Sequence, residues 1–309
     1  MPLATVAMPG SCGELVQGTL DGIPFHITCP VDVFSLTTVE MGNGCNPVAC
    51  PAERTKASAA LRHTLELLEK TGTGGRMTIE SLLPLSKGMA SSTADVAGAV
   101  EAACYALGHT PVPSRTAQIA LSIEPSDGTF FPGIVAFDHR QGKLLIPLGI
   151  PPPIDIIVLD CGGTVDTLDF NSRDWSNILS RTEPLVKEAF AAVKEGIARA
   201  DPELIGIGAS ISARANQEIA FKPQLEKAEI LASEVGAVGV NVGHSGTVIG
   251  ILLDARKAER ELAVRYLAGR VNGLELLFAC SLVSGGGRLL GDSALHSRHS
   301  ELEGKKWTS

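Results

Sequence analysis

The stretch from Met77 to Leu107 constrains this chain more than any other. A strand-like run, Met77-Thr78-Ile79-Glu80-Ser81-Leu82-Leu83, leads into Pro84-Leu85-Ser86-Lys87-Gly88-Met89-Ala90-Ser91-Ser92-Thr93-Ala94, and an Ala-rich helical run, Thr93 to Leu107, leads out. Pro84 ends the strand and Gly88 is free to take positive φ. Ser91 or Ser92 is suited to N-cap a helix with Asp95 in its first turn. A strand, a small-residue loop and a helix N-terminus form a built-in anion site, because unpaired backbone N–H groups point outward and the helix dipole favours negative charge. Lys87 adds a positive charge. Taken alone, the same stretch also reads as an ordinary strand-to-helix turn capped by serines.

The rest of the chain narrows the choice. At 309 residues it is long enough for one large or two medium domains. A net charge of −8 and the absence of a basic run argue against general nucleic-acid binding, while leaving a local phosphate site open. Seven cysteines, odd in number and without a C-x-x-C pair, predict free thiols in a reducing cytoplasm. Cys45 and Cys50 lack two further ligands for zinc. With no signal segment and no membrane-spanning run, the expectation is a cytoplasmic protein without nucleic-acid or membrane partners.

Pro151-Pro152-Pro153 is the expected boundary between domains 1–150 and 151–284, and the loss of periodicity after Gly285 predicts a loose tail over 285–309. Before the boundary, short strands are expected at Leu3–Ala7, Ile23–Thr28 and Val33–Met41, with helices at Lys56–Thr71 and Ser114–Ile123. Beyond it, the order strand, helices, two strands, helix, strand suggests a ferredoxin-like α+β sandwich. Neither a Walker A loop nor a Rossmann G-x-G-x-x-G follows a first strand, which disfavours a P-loop fold and a dinucleotide dehydrogenase.

Three loops carry a resemblance. Pro84 to Ala94 resembles the P-x-x-x-G-L-G-S-S-A phosphate loop of the superfamily of galactokinase, homoserine kinase, mevalonate kinase and phosphomevalonate kinase (GHMP). Met8-Pro9-Gly10-Ser11 resembles its first motif, and Asn241 to Gly250 its third. Ala90 stands where the second Gly is usual, so it needs either a right-handed backbone or some strain. His244-Ser245 interrupts the small residues of the third loop. The resemblance implies an α+β, two-domain fold, with a ribosomal-protein-S5-domain-2-like N-terminal domain that binds ATP and a ferredoxin-like α/β sandwich after it. Within the superfamily, Pro9 to Gly18, Cys29-Pro30-Val31-Asp32 and Glu124-Pro125-x-Asp127…Phe131-Pro132-Gly133 resemble the branch that phosphorylates L-threonine for the aminopropanol linker of adenosylcobalamin. Another small alcohol, such as homoserine or a mevalonate-type acid, and a catalytically silent binding relative are the alternatives.

The roles that follow are expectations. Phosphoryl transfer needs positioned phosphates, a divalent cation and charge stabilisation. The resemblance spreads the ATP-phosphate loop over Pro84, Lys87, Gly88, Met89, Ala90, Ser91, Ser92 and Thr93. Ser92 and Glu124 are the candidate Mg²⁺ ligands, Glu124 resembling the family's magnesium-binding Glu; a solvated helix-end carboxylate is the other reading. Asp127 is either the base for the attacking hydroxyl or a turn former in Asp127-Gly128. Lys87 is either a phosphate ligand or a solvated loop cation. Ser11, Glu14, Gln17, Asp32 and His244 are candidates to contact the acceptor, with Glu14, Gln17 and Asp32 able to grip an ammonium and backbone N–H groups or Arg54 a carboxylate; contact with the nucleotide and a surface imidazole are the other readings of His244. Monomer and homodimer both remain open.

Overall fold

In the computed structural model, the described residues are 2–42, 44, 47–162 and 174–291. The remainder of the expected tail, 292–309, and Cys45 lie outside them. The chain begins with two long strands, β1 (Leu3–Leu20) and β2 (Ile23–Gly42), paired antiparallel through a turn at Asp21-Gly22. Met8-Pro9-Gly10 was expected to stop the first strand, and Cys29-Pro30 to separate the next two. Both strands instead run through. Register shifts between Pro9 and Ser11, Ser11 and Glu14, and Glu14 and Val16 absorb the missing donor and the glycines as bulges. One bulge turns Gly13 to positive φ, where a Cβ would lie 2.5 Å from the Val242 carbonyl and the Gly243 nitrogen. The bulges therefore aim the first motif at the third.

Helix α1 (Thr55–Leu67) is followed by β3 (Gly74–Ser81), α2 (Ser91–Ala106), α3 (Pro113–Ile123), β4 (Ile134–Phe137), β5 (Leu145–Gly149) and β6 (Ile154–Asp160). Then come α4 (Ser176–Ala198), α5 (Pro202–Ala215), α6 (Leu225–Glu234), β7 (Gly239–Val242), β8 (Val248–Asp254), α7 (Arg260–Ala268), β9 (Glu275–Ser281) and β10 (Arg288–Leu290). The sheet order is β5-β4-β2-β1-β7-β8-β6-β9, with β3 on β2 and β10 on β1. Every named pairing is antiparallel, and β1 meets β7 at Glu14 opposite Val242.

Residues 285–291 are not loose. Gly285 and Gly286 donate to the carbonyls of Gly133 and Thr129, and β10 pairs with Thr5 to Ala7. That pairing is invisible to periodicity because its partner lies at the other end of the chain.

Alternation along β6 sends Ile156 and Val158 to one core, shared with β1, β2, α2 and α4. Ile157 and Leu159 go to another, shared with Leu225, Ala228 and Leu231 of α6 and Leu267 of α7. Helix α2 is buried almost all round. Its Ala and Gly residues let it lie close on β1 and β2; a Cβ at Gly98 would come within 2.6 Å of the Thr37 hydroxyl. Burial on that scale anchors the N-terminus of α2.

Candidate active site

The loop between β3 and α2 takes left-handed φ at Ser86 (59°), Gly88 (84°) and Ala90 (52°). Ala90 thus adopts the strained alternative, at a cost of roughly 1–2 kcal/mol for a non-glycine residue. It is also the N-cap, and no side chain caps the helix. Ser91 and Ser92, expected as caps, sit in the first turn instead, and the Ser92 hydroxyl donates to the Glu124 carboxylate. Asp95 lies too deep to act on the helix end. It is buried and accepts from the Ser35 hydroxyl at 2.6 Å and the Arg54 guanidinium at 2.8 Å. The uncapped N–H groups of α2 face a cleft of ≈ 370 Å³.

Three glycine-bearing segments meet backbone to backbone beside this cleft. Gly13 N–H donates to the Gly88 carbonyl at 3.2 Å and Ser11 N–H to that of Met89 at 3.0 Å. From the other side, Thr247 and Val248 N–H both donate to the Lys87 carbonyl, at 3.0 and 3.3 Å. The approach is so close that a Cβ on Gly246 would fall 2.2 Å from that carbonyl oxygen. The Lys87 side chain is paired within the fold rather than solvated. Its ammonium reaches the buried Asp160 carboxylate at 2.6 Å and pins the loop to the end of β6. Burial raises the Asp160 pKa, but Lys87 and the Gly162 N–H outweigh it and hold the carboxyl below its ordinary value.

Gly88, Met89, Ala90, Ser91, Ser92 and Thr93 line the cleft, whereas Pro84 and Lys87 are not among its lining residues. Glu124, at the end of α3, and Asp127, in the loop after it, also line the cleft. The other Glu124 oxygen accepts from Lys56 Nζ at 2.5 Å. A hydroxyl and a carboxylate already in contact are the hard oxygen donors that Mg²⁺ takes, and Lys56 supplies positive charge where a cation would sit. The donor set and the glycine-cleared, uncapped helix end fit a magnesium-bound polyphosphate.

Asp127 also lines a smaller cavity of ≈ 70 Å³ behind the cleft, together with Glu14, His26, Pro125, Ser126, His139 and His244. Gly88 and Ser245 are shared by both spaces. Asp127 N–H donates to the Thr93 hydroxyl at 3.3 Å, and its carboxylate is 3.4 Å from His26 Nδ1. Glu14 lies 3.9 Å from the same nitrogen. Burial, and then the charge of Asp127, push the Glu14 carboxyl well above the usual range. His26 stacks on His139 with ring centroids 3.7 Å apart, and His244 tilts over His26 at 4.4 Å. Burial and the neighbouring imidazole and cationic groups keep His139 and His244 neutral. Among the described residues lining this cavity, none is Lys or Arg.

Three other acceptor candidates, Ser11, Gln17 and Asp32, lie outside both spaces. Ser11 is buried under the loop, and Gln17 donates to the Val242 carbonyl at 3.4 Å. Asp32 accepts from Ser281 N–H at 2.8 Å, tying β2 to β9. Arg54 faces the larger cleft, already paired with Asp95. Sequence reasoning missed His26, His139 and Lys56. His26 sits between the buried Phe25 and Ile27 on β2, and no local pattern connects it with His139 more than a hundred residues on.

Residues 56–131 match the model for the GHMP kinases N terminal domain. The chain is 34% identical over 257 residues to an L-threonine kinase of Salmonella typhimurium, covering 82% of this chain and 84% of that one. It is 32% identical over 255 residues to an L-threonine kinase of Citrobacter freundii, covering 82% and 88%. The chain belongs to the GHMP kinase family. The fold of this GHMP kinase is similar to that of a homoserine kinase from Cytophaga hutchinsonii, with a TM-score of 0.71 at 16% identity over 94% of this chain and 98% of that one. The matched segment of the GHMP kinase runs from Lys56 to Phe131, and so takes in the phosphate loop, Glu124 and Asp127. Among its described residues, no helix is long and apolar enough to cross a membrane.

Proposed function

We propose that this GHMP kinase transfers the γ-phosphoryl group of ATP to the hydroxyl of L-threonine, giving O-phospho-L-threonine and ADP. The product would enter the aminopropanol linker of adenosylcobalamin, in the cytoplasm. The two curated relatives carry the name L-threonine kinase. The structural observation that supports the reading is the small cavity: two neighbouring carboxylates, Glu14 and Asp127, with no Lys or Arg among the described residues that line it, next to a polyphosphate-sized cleft. Such a cavity favours an acceptor carrying an ammonium group and disfavours an anionic alcohol without one. In threonine the hydroxyl and the ammonium are on adjacent carbons, which suits Asp127 for the hydroxyl and Glu14 for the ammonium. The substrate carboxylate is left to neutral donors such as the Ser245 hydroxyl.

Gly88 to Ser92 offer backbone N–H groups to the β- and γ-phosphates. Ser92 and Glu124 would hold Mg²⁺, which when bound neutralises charge on the phosphates. Asp127 takes the proton of the attacking hydroxyl, its N–H fixed by Thr93 and its carboxylate facing His26. Exclusion of water follows from seating the acceptor in the inner cavity and the nucleotide in the outer cleft.

The test is ADP release with L-threonine, L-homoserine, mevalonate and 3-hydroxybutyrate. Threonine-dependent release is expected, and its absence rejects the substrate. Asp127→Asn should lower turnover by about 10²–10⁴-fold with nucleotide binding retained. Turnover like that of the unsubstituted enzyme removes Asp127 as the base.

A further inference from the structure

Lys222 lies between a short turn (Asn216–Glu218) and α6, and its side chain is buried. Its backbone is clamped from both directions by one side chain: Lys222 N–H donates to Gln217 Oε1 at 2.7 Å, and Gln217 Nε2 donates to the Lys222 carbonyl at 3.0 Å. The ammonium is thereby aimed at the third loop. It donates to the Gly243 carbonyl at 2.8 Å and more distantly to that of Ala220 at 3.5 Å. Among the described residues, no carboxylate pairs with it. Among the described residues, the titratable groups facing it are the Cys161 thiol, at the end of β6, and His244. Both are uncharged at neutral pH, since burial pushes the Cys161 thiol up to about 11 and the His244 imidazole well down.

A buried ammonium without a counter-ion is expensive to keep, and local stability alone gives no reason for it. Its position gives one. Gly243 opens the loop whose Gly246 rests on Gly88 and whose Thr247 and Val248 N–H groups hold Lys87. Ser245 of the same loop lines both the cleft and the inner cavity. The charge is thus fixed one loop's thickness behind the place where phosphates are expected, with no carboxylate of the described residues paired to it.

We propose that Lys222 is a positioning residue for phosphoryl transfer: its ammonium holds the Gly243–Gly246 loop against the Gly88 loop and sets an uncancelled positive charge behind the phosphate cradle. This rests on reading the cleft as the nucleotide site, not on the identity of the acceptor. Burial lowers the Lys222 pKa to about 8, so the charge is lost in a reachable pH range. The signs of the two consequences differ. The folded-state pKa is depressed, so deprotonation relieves a burial penalty and the fold gains stability from about pH 8 towards the unfolded lysine value. Affinity for ATP falls over the same interval.

The experiment measures the Kd of ATP by equilibrium binding in the full chain, which needs no acceptor, followed by kcat and both KM values with L-threonine. Lys222→Gln keeps a donor for the Gly243 carbonyl but removes the charge; it should raise the Kd of ATP about tenfold and leave the KM of the acceptor within about twofold. Lys222→Met removes both donor and charge and should also lower kcat. Lys222→Arg should recover part of the ATP affinity. In the unsubstituted protein the Kd of ATP should rise through pH 8, and in Lys222→Gln it should stay flat over that range. Unchanged ATP affinity and an unchanged pH profile in Lys222→Gln would overturn the proposal. If Lys222→Met fails to fold, the Gln variant and the pH profile still decide it. ATP binding without threonine-dependent ADP release would count against the proposed acceptor, not against Lys222.

Discussion

Replacing Gly246 by Ala tests the convergence of the three loops without touching a proposed catalytic group. Gly246 does not have positive φ, so the backbone tolerates alanine there. The obstacle is purely the contact. The new Cβ would lie 2.2 Å from the Lys87 carbonyl oxygen and 2.3 Å from Gly88 Cα. An ordinary carbon–oxygen approach is about 3.3 Å, so the loops must part by roughly 1 Å. The atoms in the way are backbone and cannot rotate aside.

Parting the loops breaks or stretches the Thr247 and Val248 hydrogen bonds to Lys87 and the Gly13 bond to Gly88. At roughly 0.5–1.5 kcal/mol each, the loss is about 1.5–4.5 kcal/mol. For a chain of 309 residues, at about 2.1 cal/mol/K per residue, that lowers Tm by roughly 2–7 °C. A displacement of about 1 Å at the phosphate loop should cost on the order of 10²-fold in kcat/KM. Gly243→Ala is the internal control, because its Cβ would meet Gly246 at only 3.3–3.4 Å and needs a few tenths of an ångström. The assays are thermal melting and coupled ADP release. A Gly246→Ala enzyme within about threefold of the unsubstituted kcat/KM, or indistinguishable from Gly243→Ala, refutes the close-contact reasoning.

Two further substitutions probe charge. Glu14→Gln should raise the KM of L-threonine about tenfold and yet raise Tm at pH 7–8. The folded pKa of Glu14 is elevated, so its ionisation costs stability as pH rises, and the Tm advantage of the variant should vanish below about pH 4. A lower Tm at pH 8, or an unchanged KM, contradicts this reading. Lys87→Met should destabilise by about 3 kcal/mol near neutral pH, since it leaves the buried Asp160 carboxylate without its ammonium. Asp160 has a depressed folded pKa, so the stability it contributes is present above the unfolded value of about 3.9 and is lost as pH falls through the folded one. Melts of variant and parent should therefore converge in acid. A Tm difference independent of pH assigns the effect to packing instead.

Part of the candidate site is legible in the sequence because it is local. Gly88, Ser91 and Ser92 fall within five residues, and the strand before and helix after them follow from periodicity. Glu124 and Asp127 were legible for the same reason, as carboxylates on one Pro- and Gly-punctuated loop. Strand ends were less so. Pro9 and Pro30 read as stops, and only cross-strand pairing reveals that bulges carry β1 and β2 through them. The left-handed Ala90 follows from a helix start anchored by burial of α2 against the sheet, a tertiary constraint that overrides local preference.

The sequence by itself determined that this chain has a small-residue loop at a helix N-terminus, two carboxylates soon after it, and glycine motifs at either end of the fold, since these depend on residue type and near spacing. Tertiary structure alone decided which side chains face one another. It turned Lys87 to Asp160, gathered His26, His139 and His244 around Glu14 and Asp127, and aimed Lys222 at the third loop. The physical reason is that a side chain's partner is set by sheet order and packing across long sequence separations, and here β1 lies beside β7, the link between first motif and third.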